Sequence, residues 1–385
     1  MLPAIVLGLA AAASTSTTNA SWVRRLELSG CTTGEVTWGA EAYAVNPDAQ
    51  IAVLIRTQEV HLLQPPPNQH QGPTEVVAFD LRDNREVAKI PIQATIAPEL
   101  AISRDGTKVV IAKKVDSGNW GPWHVCLWLP YSDPAHMREY NNLLVETNME
   151  RQWRVTFEVE TSAAPAISPD GKRAVIMGWE ITTTFEGVGT SRRALGILEL
   201  ETGKISTIPL PVTFDATKGV FNYWYLSWSD DESIYAVLHG DYGEPAIVTS
   251  PKGGRIMTWP RPDNLMLYRF SPDTKATSLV GRVPASTVGF ASDGQLIVTD
   301  AGTQRGGPLA AFGRVAISEI GQKQMDKAAA SGDYVNGLEM EPLALAGWVF
   351  DYLFVGQQHT YAEVREAKGS CRVLMERRPA SVEAR

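Results

Sequence analysis

The sequence is poor in the residues from which most enzyme centres are built. Its 385 residues include three cysteines and six histidines. None of Cys31, Cys126 and Cys371 stands in C-x-x-C or C-x-x-C-H spacing, so zinc ribbons, thioredoxin-type redox centres and c-type haem attachment have no support. The histidines, at positions 61, 70, 124, 136, 239 and 359, show no ligand spacing. Only a metal site assembled from distant segments escapes that test, because its ligands leave no local pattern. There is no G-x-S-x-G nucleophile elbow, and no H-E-x-x-H, Walker A, G-x-G-x-x-G or EF-hand loop. "EGVGTS" (186–191) has two glycines but does not go on as a nucleotide fingerprint, and reads as a hairpin tip.

Two more absences narrow the partners. The charges are scattered, with no basic stripe, and the net charge is −8 at a pI of about 5.4. Nucleic acid is therefore not the expected partner, since neutralising phosphates needs clustered Lys and Arg. No segment after residue 20 is apolar for long enough to cross a bilayer as a helix, so the chain is not expected to span a membrane. The first twenty residues, "MLPAIVLGLAAAASTSTTNA", stand apart. A short apolar run from Leu2 to Ala13 leads into small polar residues that end at Thr18 and Ala20. That is the pattern of a secretory signal peptide, although no Lys or Arg precedes the run. Residues 1–20 are expected to direct export to a periplasmic or extracellular space, and residues 21–385 to form one domain.

Long helical patterns are also scarce; the best, "GQKQMDKAAASG" (321–332), suits one short helix in an insertion. What the chain does contain is a repeat. "AYAVNPDAQIAVLIR" (42–56), "LAISRDGTKVVIAKK" (100–114), "AISPDGKRAVIMGW" (166–179), "LSWSDDESIYAVLHG" (226–240) and "VGFASDGQLIVTD" (288–300) share one form. A short apolar run enters, a polar turn follows, and a run rich in Val and Ile leaves, which is a hairpin signal. "LAGWVFDYLFVGQ" (345–357) reads as a worn sixth copy. The turn aspartates, Asp48, Asp105, Asp170, Asp231, Asp293 and Asp351, are 57, 65, 61, 62 and 58 residues apart. In the best copy Ser168 suits the first position of a type I turn, Pro169 the second and Gly171 the fourth. These residues are read as structural, not reactive.

Second hairpins follow in 74–92, 194–211 and 265–283, so one repeat holds about four antiparallel strands. Four-stranded units repeated around an axis make a β-propeller. The expected fold is all-β, one propeller with six blades, or seven if residues 22–40 form most of another. The surplus length falls in loops at 58–73, 115–124, 130–142, 180–193, 239–255 and much of 301–345. "WVRRLELSGC" (22–31) and "CRVLMERR" (371–378) are both strand-like with a cysteine at one edge. If the chain ends share the last blade, Cys31 and Cys371 form a disulfide; otherwise they are two buried thiols. Cys126 sits in apolar alternation and reads as a core thiol.

The S/N-x-D-G hairpins, best seen in "ISPDGKRAVIMGW" and "ISRDGTKVVIAKK", resemble the WD40-like PD40 repeat of TolB-type periplasmic propellers and of prolyl oligopeptidase propeller domains. The resemblance covers about six short windows and implies the fold, with little about function. TolB-like proteins imply protein binding. The hydrolase domain of the oligopeptidases and the N-terminal domain of TolB have no clear copy here.

Candidate contact residues come from loops. Trp120 and Trp123 flank Gly121 and Pro122 and are expected on a loop, either exposed to a protein, peptide or sugar ring or covering a blade edge. Tyr223, Trp224, Tyr225 and Trp228 read mainly as packing between blades. His239 and Asp241, with Tyr242 beside them, leave the end of an inner hairpin, as a general base and its carboxylate or as a hydrogen-bonded loop pair. The expected function is an exported binding or scaffold module for another protein, possible also as an accessory subunit of a larger complex. The alternative is a propeller enzyme, lactonase-like or another hydrolase, with its site in the central channel. No cofactor is predicted, and a channel Ca²⁺ or other metal stays open with that alternative.

Overall fold

The Asp-Gly stretches are tight turns between the first two strands of successive sheets. A computed structural model of the chain describes residues 21–378, except 32–35, 61–73, 93–97, 115–122, 133–135, 141–142, 151–152, 160–162, 185, 188, 212–224, 240–245, 250–254, 259–264, 284–286, 300–308 and 321–339. The Ser168 hydroxyl donates to Asp170 (2.7 Å) and accepts the Arg173 N–H (2.9 Å), while Asp170 also accepts the Lys172 N–H (3.0 Å). The Gly171 N–H closes the turn on the Ser168 carbonyl, at a φ of +66° that favours glycine. Ser103 and Asp105 repeat the arrangement, with Ser103 Oγ donating to Asp105 at 2.5 Å and accepting the Lys108 N–H at 2.9 Å. Asp231 and Asp293 each accept the N–H two residues on, at 3.1 Å. Side-chain acceptors thus satisfy turn donors that a narrow hairpin would leave open.

Each turn opens a four-stranded antiparallel blade. A leading strand, β1 (Ser21–Ser29), precedes them. Blade 1 is β2 (Val36–Asn46), β3 (Ile51–Val60), β4 (Thr74–Asp80) and β5 (Arg85–Pro91). Blade 2 is β6 (Glu99–Ile102), β7 (Val109–Lys114), β8 (Trp123–Leu129) and β9 (His136–Tyr140). Blade 3 is preceded by a hairpin, β10 (Leu144–Asn148) and β11 (Trp153–Val159), and consists of β12 (Ala166–Ile167), β13 (Arg173–Thr184), β14 (Gly189–Glu199) and β15 (Ile205–Pro209). Blade 4 is β16 (Tyr225–Trp228), β17 (Ile234–His239), β20 (Leu265–Phe270) and β21 (Thr277–Val283), with the hairpin β18 (Ala246–Thr249) and β19 (Arg255–Thr258) inserted. Blade 5 is β22 (Thr287–Phe290), β23 (Leu296–Thr299), β24 (Ala311–Val315) and β25 (Glu341–Pro342). Blade 6 is β26 (Trp348–Val355), β27 (Thr360–Glu366) and β28 (Arg372–Arg378), completed by β1 on its outer edge.

The chain is therefore a six-bladed β-propeller. Residues 22–40 do not make a seventh blade: they divide between the outer strand of blade 6 and the inner strand of blade 1. β1 runs antiparallel to β28, from Trp22 opposite Arg377 to Ser29 opposite Arg372. Beyond it, Cys31 and Cys371 are joined by a disulfide across 340 residues of chain. Cys126 is a buried free thiol, pushed up to about 12 by desolvation.

Other expectations need correction. Asp351 lies inside strand β26 and pairs with Arg365 (3.0 Å), so it is no turn residue. The turn of blade 6 follows at Gly356, whose N–H meets the His359 carbonyl at 2.8 Å. The misreading came from periodicity alone, because "GQQH" carries no aspartate. Residues 130–142 contain β9, and 180–193 are mostly the continuing ladder of β13 and β14, not loop. Residues 239–255 contain β18. The helix expected at 321–332 and the signal peptide at 1–20 lie outside the described residues.

The core sits between blades. Six apolar clusters fill the six seams, from Ile55, Ile111 and Trp128 between blades 1 and 2 to Leu26, Leu54, Tyr361 and Leu374 between blades 6 and 1. Among the described residues the closing seam is the smallest, with seven buried apolar residues against eleven between blades 1 and 2. Buried charge takes part of its place. Glu363, 1% exposed, receives Arg372 and the Tyr43 hydroxyl, and Glu376, 4% exposed, receives Arg25 and His359. Burial pushes the Glu363 carboxyl up. Burial would do the same to Glu376, but the hydrogen bonds from Arg25 and His359 outweigh it and hold that group below its usual value.

Candidate functional site

The inner strands β2, β6, β12, β16, β22 and β26 surround a central channel. At the turn end it opens into a cavity of about 340 Å³ whose wall draws on all six blades, from Tyr43 through Leu100, Ile167, Leu226 and Phe290 to Phe354. Its charged groups are occupied as ties between blades. Asp48 accepts the Ser292 hydroxyl of blade 5 and the Gln357 N–H of blade 6 (2.7 Å). Arg104 pairs with Asp230 of blade 4. Asn46 Nδ2 donates to the Ser103 carbonyl of blade 2 (2.7 Å), Lys108 Nζ to Gly171 of blade 3 (2.5 Å), Arg173 to Glu232 of blade 4 (2.8 Å), and Arg314 to Gly356 of blade 6 (3.0 Å). The turn end of the propeller is thus a ring of mutual ties. Among the described residues, no group of three or more His, Cys, Asp or Glu could hold a metal.

Antiparallel blades sort their connections by face. The turns after the first and third strands share one face; those after the second and fourth share the other. The first face carries the short Asp-Gly turns and, as one exception, the β24–β25 connection (316–340). The opposite face receives most of the other long connections: β3–β4 (61–73), β15–β16 (210–224), β17–β20 (240–264) and β23–β24 (300–310). It also carries the β10–β11 hairpin and the long ends of β13 and β14.

Blade 3 is where this face is built out in described structure. β12 has only two residues, and its place beside β13 is continued by β11, from Val159 opposite Gly178 to Trp153 opposite Thr184. The join is tight: a Cβ at Gly178 would lie 2.1 Å from the Glu158 carbonyl oxygen and 2.6 Å from the Phe157 ring. β10 pairs only with β11 and comes within 8 Å of β15, so the five strands curl toward a barrel without closing it. Inside the curl is a groove of about 500 Å³ lined by Trp153, Val155, Glu180, Thr182, Arg192 and Thr207 among others. Glu180, 7% exposed, is held by Arg192 (2.6 Å) and by the Thr207 hydroxyl. At the hairpin, Leu144 and Met149 are 51% and 72% exposed.

The candidate contact residues read from the sequence are scattered. Trp123 is the first residue of β8, opposite Lys114, and not a loop residue. Trp120, Tyr223, Trp224, Asp241 and Tyr242 lie outside the described residues. His239 ends β17, opposite Leu265, on the second strand of its blade and not the innermost one. Trp228 is buried at the blade 3–4 seam with the Arg173 guanidinium 5.0 Å from its ring, and Trp128 is wholly buried. Of the blade 3 extension, the sequence reading assigns 180–193 to loop and gives 144–159 no element. Its signal is present in "WRVTFEV" (153–159), which alternates in polarity with the period of a strand.

No family model matches the sequence, and no curated protein does. Solved structures similar to the chain include TolB from Acinetobacter baumannii, at 10% identity over 89% of this chain and 80% of that one, TM-score 0.38. An oligogalacturonate lyase from Vibrio parahaemolyticus shows 11% identity over 94% and 100%, TM-score 0.39. An acylaminoacyl peptidase from Pyrococcus horikoshii shows 10% over 86% and 44%, TM-score 0.42. The fold rests on the strand pairing itself: a six-bladed β-propeller closed by its own leading strand.

Proposed function

We propose that the protein is an exported binding propeller that docks another protein on its long-connection face, through the extension of blade 3. The observation that carries this reading is the extra hairpin there. Among the described residues it adds two strands that no other blade has in that position, leaves β10 paired on one side only, and exposes Leu144 and Met149 beside a groove containing Trp153. Open strand edges and exposed apolar side chains are costly on a free surface and useful at an interface. The opposite face supports the same division of labour, since its turns are spent on holding blades together. Export is supported by the Cys31–Cys371 disulfide, a bond that persists in oxidising compartments.

The test is site-specific photo-crosslinking in the native compartment, with the probe at Met149 and, as a control, at Lys172 on the turn face. A defined protein adduct from position 149 alone is expected, lost when Leu144 is changed to Asp. Equal labelling from both positions, or monomeric protein only, refutes the reading.

A further inference from the structure

We infer that the closing seam between blades 6 and 1 holds a binding site for a phosphoryl group, free or carried on a small molecule. On the turn face, this seam contains a cavity of about 450 Å³ lined by Arg25, Arg82, His359, Glu376 and Arg378, with Gln50 and Gln358. Such a concentration of cationic side chains is unexpected on a chain of net charge −8. Arg377 also borders the cavity but is committed to Glu341 and to the face of Phe312 on the blade 5 side.

The hydrogen-bond accounting points to an acceptor-rich ligand. Both oxygens of Glu376 are engaged, one by Arg25 Nε (2.9 Å) and Nη2, the other by His359 Nδ1 (2.9 Å). Both oxygens of Asp80 are engaged by Arg82, through its backbone N–H (3.0 Å), Nε (2.8 Å) and Nη2 (2.5 Å). The Gln50 amide nitrogen donates to the Tyr361 hydroxyl (3.3 Å). The two carboxylates therefore act as struts that orient Arg25, His359 and Arg82. Among the described residues, the donors left over are the third nitrogen of each of those arginines, the Gln358 amide N–H groups and Arg378. Arg378 is exposed and has no ion-pair partner among the described residues.

The donors come from separate elements: β1, the β4–β5 turn, the β26–β27 turn and β28. A planar carboxylate is matched by one guanidinium fork, whereas donors converging from several sides suit a tetrahedral oxyanion with several charged oxygens. A phosphoryl group in this cavity bridges blade 6 to blade 1, so its binding also stabilises the closed ring.

Calorimetric titration of the full-length oxidised protein tests this, using inorganic phosphate, glycerol phosphate and citrate at constant ionic strength, with thermal melting as a second readout. Saturable one-to-one binding of a phosphate compound is expected, with a rise in Tm. Arg378→Gln, an exposed change with circular dichroism as the fold check, should weaken binding about tenfold or more, the loss expected for one charged hydrogen bond. Lys172→Gln, which removes an equal charge elsewhere on the same face, should leave binding unchanged. Tighter binding of glycerol phosphate identifies an ester-borne group, and tighter binding of inorganic phosphate the free ion. No saturable binding of either compound, binding unaffected by Arg378→Gln, equal weakening by Lys172→Gln, or citrate binding at least as tightly would each overturn the assignment.

Discussion

Breaking the Cys31–Cys371 bond should destabilise the ring at one place. The bond closes a loop of 340 residues. The chain-entropy relation assigns such a closure about 6 kcal/mol at 25 °C, as an upper value. With an unfolding entropy of about 2.1 cal/mol/K per residue, a chain of this size loses about 7 °C in Tm for that amount, and about half as much if residual denatured structure halves it. The native fold should survive, because β1 stays anchored by its ladder to β28, by buried Leu26 and Leu28 and by the Arg25–Glu376 pair. Differential scanning calorimetry of the Cys31→Ser/Cys371→Ser double variant, against oxidised wild type, measures the loss. Hydrogen exchange locates it, with amides of residues 21–29 losing protection before those of β26 and β27. A Tm unchanged within about 1 °C, or protection lost evenly over all blades, would refute the reasoning.

Other outcomes are specific to single residues. Asp170→Ala should cost about 1–2 kcal/mol, through loss of the bonds from Ser168 and Lys172, and leave partner binding intact; chemical denaturation and the crosslinking assay check the two halves. Hydrogen bonds hold the Asp80 and Asp170 carboxyls below their usual values, from Arg82 and Ser168 respectively. Burial would raise Asp105, but bonds from Ser103 and Thr107 outweigh it and lower that group too. A depressed folded pKa gives stability that is complete above the unfolded value, about 4, and is lost as pH falls through the folded one. Tm should therefore drop on acidification below about pH 4, and by less in Asp170→Ala. Gly178→Ala should destabilise by about 3 kcal/mol, since its Cβ would overlap the Glu158 carbonyl in a join with little room to yield. Cys126 should resist a thiol reagent at pH 8 in native protein and react on unfolding, as burial pushes its thiol up to about 12.

Fold and site were unequally legible in the sequence. The turns were readable because each copy must solve the same local problem, and Ser-x-Asp-Gly solves it with groups within five residues of one another. The ring closure was readable for a different reason, as two strand-like ends with one cysteine each leave few places to go. Blade 6 shows the limit. Its turn uses Gly356 and His359 and no aspartate, so regular spacing points to Asp351, five residues before the turn begins. The groove of blade 3 and the cationic cavity depend on which strands curl together and which blades meet. Arg25, Arg82, His359 and Arg378 are up to 353 residues apart, and nothing local relates them.

The use of residues 21–29 as the outer strand of the last blade sets an order of events in synthesis. Blades 1 to 5 are each contiguous in the chain and can form as they emerge. The leading strand cannot, because β28 is made some 340 residues later. Until then it is an unpaired strand followed by the unpaired thiol of Cys31, free to meet the wrong edge, such as β10. At the five to twenty residues per second of translation, that wait is of the order of twenty seconds to a minute. Folding after export, or a partner that covers this strand in the interval, removes the hazard. The slow step of maturation should be docking of β1, with the disulfide following as a latch.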